Sequence, residues 1–127
     1  MTKVLIIDDN PSIVRVTSLL LERRGFEVRS SEDDSFLEIA EQWQPSVILM
    51  DVHLPKIDGV EATRRLKENS LTATIPVVLM TGDSEAIDLA TQCGANDLII
   101  KPFGNNELVE MIARLARGAG KGEDQPA

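Results

Sequence analysis

Five short apolar runs punctuate the chain: Val4-Leu5-Ile6-Ile7, a weaker Phe26-Glu27-Val28, Val47-Ile48-Leu49-Met50, Val77-Val78-Leu79-Met80 and Leu98-Ile99-Ile100. Four of them are continuous rather than alternating, the pattern of strands covered on both faces. Between the runs, apolar positions recur at helical spacing. The first such segment, about Pro11 to Arg24, has Asn10 as N-cap, Pro11 at the first helical position, Ile13, Val16 and Leu20 on one face, and Gly25 as its stop. A second, about Asp34 to Gln42, carries Phe36 and Ala40 one turn apart and ends before Pro45. The third starts at Asp58-Gly59, where Asp58 and Glu61 have capping-box spacing, and runs to about Asn69. The fourth spans about Ser84 to Cys93, and the last about Asn105 to Arg117, with Leu108, Ile112 and Leu115 on one stripe.

Strands alternating with helices of this length predict βα units and a parallel sheet. Right-handed crossovers place helices on both faces, and five repeats are too few for an eight-fold barrel. The expected fold is therefore α/β: an open, doubly wound, flavodoxin-like (βα)5 sandwich with strand order 2-1-3-4-5. Residues 1–117 are read as one domain, and 118–127, rich in Gly and polar residues, as a tail or the start of a linker.

In such a sheet, chemistry gathers beyond the carboxyl ends of the strands. The first strand ends in Asp8-Asp9, the third in Asp51, the fourth in Thr81 and the fifth in Lys101. With strands one and three adjacent, three carboxylates converge in one crevice. They are tolerated at neutral pH if a cation shares the site or if some of their pKa values rise. A small hard cation such as Mg²⁺ suits carboxylates and completes its shell with waters and phosphate oxygens. Carboxylates also attack phosphorus to form aspartyl-phosphates, and phosphoryl transfer otherwise demands positioning and charge neutralisation. A metal on Asp8 and Asp9, the Lys101 ammonium and the Thr81 hydroxyl could serve the phosphoryl oxygens. Asp51 is then the residue to be phosphorylated.

Composition narrows the function classes. The 127 residues carry 13 Lys and Arg against 21 Asp and Glu, a formal net charge of −8, so direct binding to nucleic acid is not expected. Cys93 is the single cysteine, which excludes an internal disulfide and suits a reducing compartment. No apolar run approaches the ~18 residues of a membrane span, and a cytoplasmic protein that does not engage membrane is expected. A flavodoxin-like FMN carrier needs a hydroxyl- and glycine-rich phosphate cradle after the first strand, whereas Asp8-Asp9-Asn10-Pro11 repels phosphate unless a metal intervenes. A phosphohydrolase with an Asp nucleophile and Asp-x-Asp at its strand end would need a second acid that Asp51-Val52-His53 lacks.

These residues, in this order, resemble a known family. Asp8-Asp9 after the first strand, Leu49-Met50-Asp51-Val52-His53-Leu54-Pro55 followed by Asp58-Gly59, Leu79-Met80-Thr81-Gly82, and Gly94-Ala95-Asn96-Asp97 leading to Lys101-Pro102-Phe103 look like the receiver domain of two-component response regulators. The resemblance covers about Lys3 to Arg117. It implies a CheY-like fold and phosphorylation of Asp51 by a phosphohistidine on a histidine kinase or phosphotransfer protein. It implies Mg²⁺, with Mn²⁺ as substitute, on Asp9, Asp51 and the backbone carbonyl of His53, and Asp8 contributing through water. It further implies a cis peptide at Lys101-Pro102, a signalling rather than enzymatic role, and an output face formed by the fourth helix, fifth strand and fifth helix. That face would meet a downstream protein, the chain being a monomer or a phosphorylation-dependent dimer. A receiver-like docking scaffold that is not switched by phosphorylation is the alternative.

One position departs from the family. The aromatic that typically stands three residues before the lysine is Leu98 here, and the chain has no Tyr. The expectation is that Thr81 still engages the phosphoryl group while the output face adjusts by backbone shifts or a leucine rotamer. His53 and Asp83, two residues past Asp51 and Thr81, are expected to flank the phosphoryl group. Trp43 is read as packing between the second helix and third strand, Glu32-Asp33-Asp34 as favouring the start of the second helix, and Arg23-Arg24 and Arg64-Arg65 as solvated helix faces.

Overall fold

The computed structural model describes residues 2–82 and 87–120. The elements alternate throughout: β1 (Lys3–Ile7), α1 (Pro11–Arg23), β2 (Glu27–Ser31), α2 (Phe36–Trp43), β3 (Val47–Asp51), α3 (Gly59–Glu68), β4 (Val77–Thr81), α4 (Ile87–Cys93), β5 (Asp97–Ile100) and α5 (Asn105–Gly120). All strand pairings are parallel and the order is β2-β1-β3-β4-β5, as the pattern predicts.

The continuous apolar runs now have a physical account. Successive side chains of a strand point to opposite faces. Leu5, Ile7, Ile48, Met50 and Leu79 pack with Phe36, Ala40, Ala62, Leu66 and Ala90, beneath α2, α3 and α4. Val4, Ile6, Leu49, Val78, Met80 and Ile99 pack with Leu21, Leu108 and Ile112, beneath α1 and α5. Both faces are thus core, and truncating a central Leu or Ile to Ala would cost about 2–5 kcal/mol.

Differences from the pattern fall at edges and ends. The second strand is shifted to Glu27–Ser31, with Lys3 opposite Glu27 and Ile7 opposite Ser31. It is an edge strand with exposed Glu27, Arg29 and Ser30, so little burial marks it in the sequence. Helix α2 starts at Phe36 because Asp33 Oδ1 accepts from the Ser35 N–H and hydroxyl, an Asx-turn that occupies the residues expected to form its first turn. Those hydrogen bonds from Ser35 hold the Asp33 carboxyl below its ordinary pKa. The capping box is half formed: Asp58 accepts from the Val60 N–H at 2.9 Å, while Glu61 pairs with Arg64 and Arg65. Helix α5 runs to Gly120 rather than stopping at Arg117. The expected start of the fourth helix at Ser84, and Asp83, lie outside the described residues.

Trp43 is buried, 8% exposed, yet its ring is faced by cations from β1 and β2 rather than by β3 alone. Lys3 Nζ lies 5.6 Å from the ring centroid and the Arg29 guanidinium 4.8 Å. Arg24 donates to Asn106 Oδ1 at 3.0 Å, tying the end of α1 to the start of α5.

Candidate functional site

Each site residue is delivered by the end of a strand and fixed by the turn or helix start beyond it. Asn10 caps α1 by accepting from the Ser12 and Ile13 N–H groups, and its own N–H donates to Asp8 Oδ1 at 2.9 Å. The helix cap therefore orients the first carboxylate. Asp51 ends β3 and accepts at Oδ1 from the His53 N–H, 3.2 Å away. Thr81 ends β4, almost fully buried, and its carbonyl accepts from the Lys101 N–H at 2.7 Å. Lys101 comes directly after β5 and precedes a cis peptide to Pro102, as the resemblance implies.

The ends of β1, β3 and β5 bring together Asp8, Asp9, Asp51 and Lys101, as the sequence predicts. Carboxylate oxygens of Asp8, Asp9 and Asp51 all lie within 4.8 Å of one another. Lys101 Nζ stands 3.4 Å from Asp8 Oδ2 and 3.6 Å from Asp51 Oδ1. Three carboxylates against one ammonium leave two negative charges in a crevice where Asp8 and Asp51 are 3% and 7% exposed. Burial pushes the Asp51 carboxyl above its ordinary pKa; the Asp8 charge adds to this, while the His53 N–H and Lys101 oppose it. Two uncompensated charges among hard oxygen donors match a divalent cation of the Mg²⁺ kind.

His53 divides into two parts. Its backbone lies at Asp51, and its imidazole is exposed, lining with Asp9, Leu54 and Lys56 a groove of about 810 Å³. Leu98 sits on β5 opposite Leu79 and packs, partly buried, on the core beneath α4.

Sequence reasoning missed Gly59. It reads as a helix-start residue, yet a β-carbon on it would overlap the Asp51 carbonyl oxygen and lie 2.7 Å from Val52 Cα. The Asp-Gly dipeptide signals a turn but not a contact eight positions upstream.

The fold and crevice define a CheY-like class: a doubly wound sheet with an acidic cluster and a lysine at its carboxyl edge. The chain belongs to the response regulator receiver domain family, whose profile matches residues 4–113. Among curated relatives it is similar to the DNA-binding dual master transcriptional regulator RpaA of Synechocystis sp., 36% identical over 92% of this chain and 50% of that protein. The chain spans about half the length of the first curated relatives it matches. Among solved structures, the chemotaxis response regulator CheY4 of Vibrio cholerae aligns with a TM-score of 0.84 and 29% identity, covering 91% of this chain and 98% of that one. The receiver domain of the Pseudomonas aeruginosa sensor histidine kinase PA1611, solved with magnesium coordinated in its active-site cleft, aligns with a TM-score of 0.84 and 28% identity over the same shares. Among the described residues, no helix is long and apolar enough to cross a membrane.

Proposed function

We propose that Asp51 is a phosphoacceptor, charged by a phosphohistidine on a histidine kinase or phosphotransfer protein, and that the chain passes the signal on by protein contact. The observation that carries this reading is the convergence of the Asp8, Asp9 and Asp51 carboxylates within 4.8 Å of one another, with Lys101 in ion-pairing reach of Asp8 and Asp51. An Asp51 oxygen forms a bond to phosphorus as the bond from phosphorus to the partner's imidazole nitrogen breaks, and the nitrogen keeps the electron pair. Lys101 and the Thr81 hydroxyl meet the phosphoryl oxygens. The His53 N–H and Lys101 keep the Asp51 carboxylate aimed before transfer.

Asp9, Asp51 and the His53 carbonyl would hold Mg²⁺, or Mn²⁺ in its place, with Asp8 assisting through water. The bound ion supplies neutralisation of phosphoryl oxygen charge. Release of the group is hydrolysis at the same centre, so uptake and loss are self-catalysed and no separate substrate is turned over. We place this switch in the segment that α5 closes at Gly120, three residues beyond the 1–117 domain that the sequence pattern gives. The output is assigned to the face of α4, β5 and α5, toward a protein target, in a cytoplasmic setting and in a monomer or phosphorylation-dependent dimer.

The test is incubation with Mg²⁺ and a small-molecule phosphodonor, with intact-mass measurement of the wild type and Asp51→Asn. One acid-stable, base-labile phosphoryl group on the wild type, absent from the variant, is expected. Equal labelling of both would overturn the assignment.

A further inference from the structure

We infer that Gly59, gripped by Thr63, is a positioning residue for the phosphoacceptor; this rests on the reading of Asp51 above. Gly59 opens α3 and is buried against the end of β3. A β-carbon there would overlap the Asp51 carbonyl oxygen and stand 3.0 Å from its carbonyl carbon. The absence of a side chain therefore lets α3 press directly on the peptide that carries the reacting carboxylate.

Gly59 is held from both sides. Its N–H donates to Val52 O at 3.1 Å, and its carbonyl accepts from Thr63 Oγ1 at 2.9 Å, a side chain that is fully buried. On the other flank, the Val52 N–H donates to Met80 O at 3.0 Å, joining the end of β3 to β4. The Asp51–Val52 backbone is thus clamped between α3 and β4. Helix α3 cannot recede without losing the bond to Val52, so an added methyl group displaces the Asp51 peptide. The Asp51 carboxylate then shifts relative to the His53 N–H, Lys101, Asp8 and Asp9.

Phosphoryl transfer is sensitive to such shifts, since a misplacement of about 1 Å can cost roughly 100-fold in rate. Loss of a residue that orients a metal ligand typically costs about 10–100-fold in metal affinity. Gly59→Ala is expected to stay folded, to bind Mg²⁺ about 10-fold more weakly, and to take up phosphoryl from acetyl phosphate about 10–100-fold more slowly.

A metal-free readout separates positioning from general loss of stability. The His53 amide donates to Asp51 Oδ1, so its hydrogen exchange by NMR reports where that carboxylate lies. In Gly59→Ala the His53 amide should exchange faster. In Ile112→Val, a destabilised reference on the opposite face of the sheet, His53 exchange and phosphoryl uptake should match the wild type. Folded Gly59→Ala with unchanged His53 exchange and unchanged uptake overturns the inference, as does an equal effect of Ile112→Val. Where Gly59→Ala fails to fold, Thr63→Val removes the grip on the Gly59 carbonyl at nearly constant volume. Faster His53 exchange and slower uptake in that variant support the inference, and wild-type behaviour overturns it. A wild-type chain that takes no phosphoryl group at Asp51 overturns the functional reading, independently of how the variants behave.

Discussion

Lys101 and Asp8 stand at the ends of β5 and β1, with β3 and β4 between them in the sheet, yet Nζ lies 3.4 Å from Oδ2. The lysine side chain lies across the carboxyl edge of the sheet and also reaches Asp51 at 3.6 Å. One cation therefore serves two buried acids, and neither is fully compensated. At an effective dielectric of 20, two carboxylate charges 4.8 Å apart repel by about 3.5 kcal/mol, which the shared ammonium offsets only in part.

This imbalance makes stability depend on pH through Asp51. Its folded pKa lies above the unfolded value near 3.8, chiefly through burial. The native chain holds that proton to higher pH than the unfolded chain, so the contribution is fully present below pH 3.8 and is lost as pH rises through the raised native value. Asp51→Asn, which keeps the uncharged shape, should be more stable than the wild type at pH 7 without metal. Urea denaturation should show that advantage vanishing below about pH 3.8.

Divalent metal should act in the opposite direction to the repulsion. Mg²⁺ at about 100 times its dissociation constant should add about 2.7 kcal/mol to the wild type. For a domain of this size that is a rise of roughly 8–15 °C in Tm. Asp9→Asn should lose most of the rise. Differential scanning calorimetry with and without MgCl₂ provides the check.

How far the site is legible in sequence depends on which forces leave local marks. Asp8, Asp51, Thr81 and Lys101 each end or succeed a continuous apolar run, because burial on both faces writes the strand ends directly into the chain. The edge strand β2 leaves no such mark, so its apolar residues point to Phe26–Val28 while the strand itself is Glu27–Ser31. The Asx-turn of Asp33 competes with a helix start that uses the same residue types. The packing of Gly59 on Asp51, and of Lys3 and Arg29 on Trp43, joins segments whose proximity only the assembled sheet determines.

Trp43 should be blind to the site. It contacts Lys3, which opens β1, whereas Asp8 lies just past the end of that strand, roughly 16 Å away at 3.3 Å per residue. Tryptophan emission should stay unchanged on Mg²⁺ addition. Arg29→Ala should alter that emission and cost about 0.5–1 kcal/mol through the lost cation–π contact.

The switch should work without an aromatic rotor. Leu98 already packs on the core beneath α4. A structure with Mg²⁺ and beryllofluoride should show Thr81 moved toward the phosphoryl position and the face of α4, β5 and α5 rearranged, with Leu98 keeping its place. A full inward swing of Leu98 would show an aliphatic side chain doing the rotor's work.

The hydrogen bond between Lys101 and Asp8 joins residues 93 positions apart. The ammonium that completes the crevice therefore comes from the end of β5, the last strand in chain order, so nearly the whole receiver segment must be synthesised before the crevice is complete. Chains that lack β5 carry Asp51 but not the lysine that we propose meets an incoming phosphoryl group. On the proposed reading, competence to accept a phosphoryl group is complete only once β5 is in the sheet.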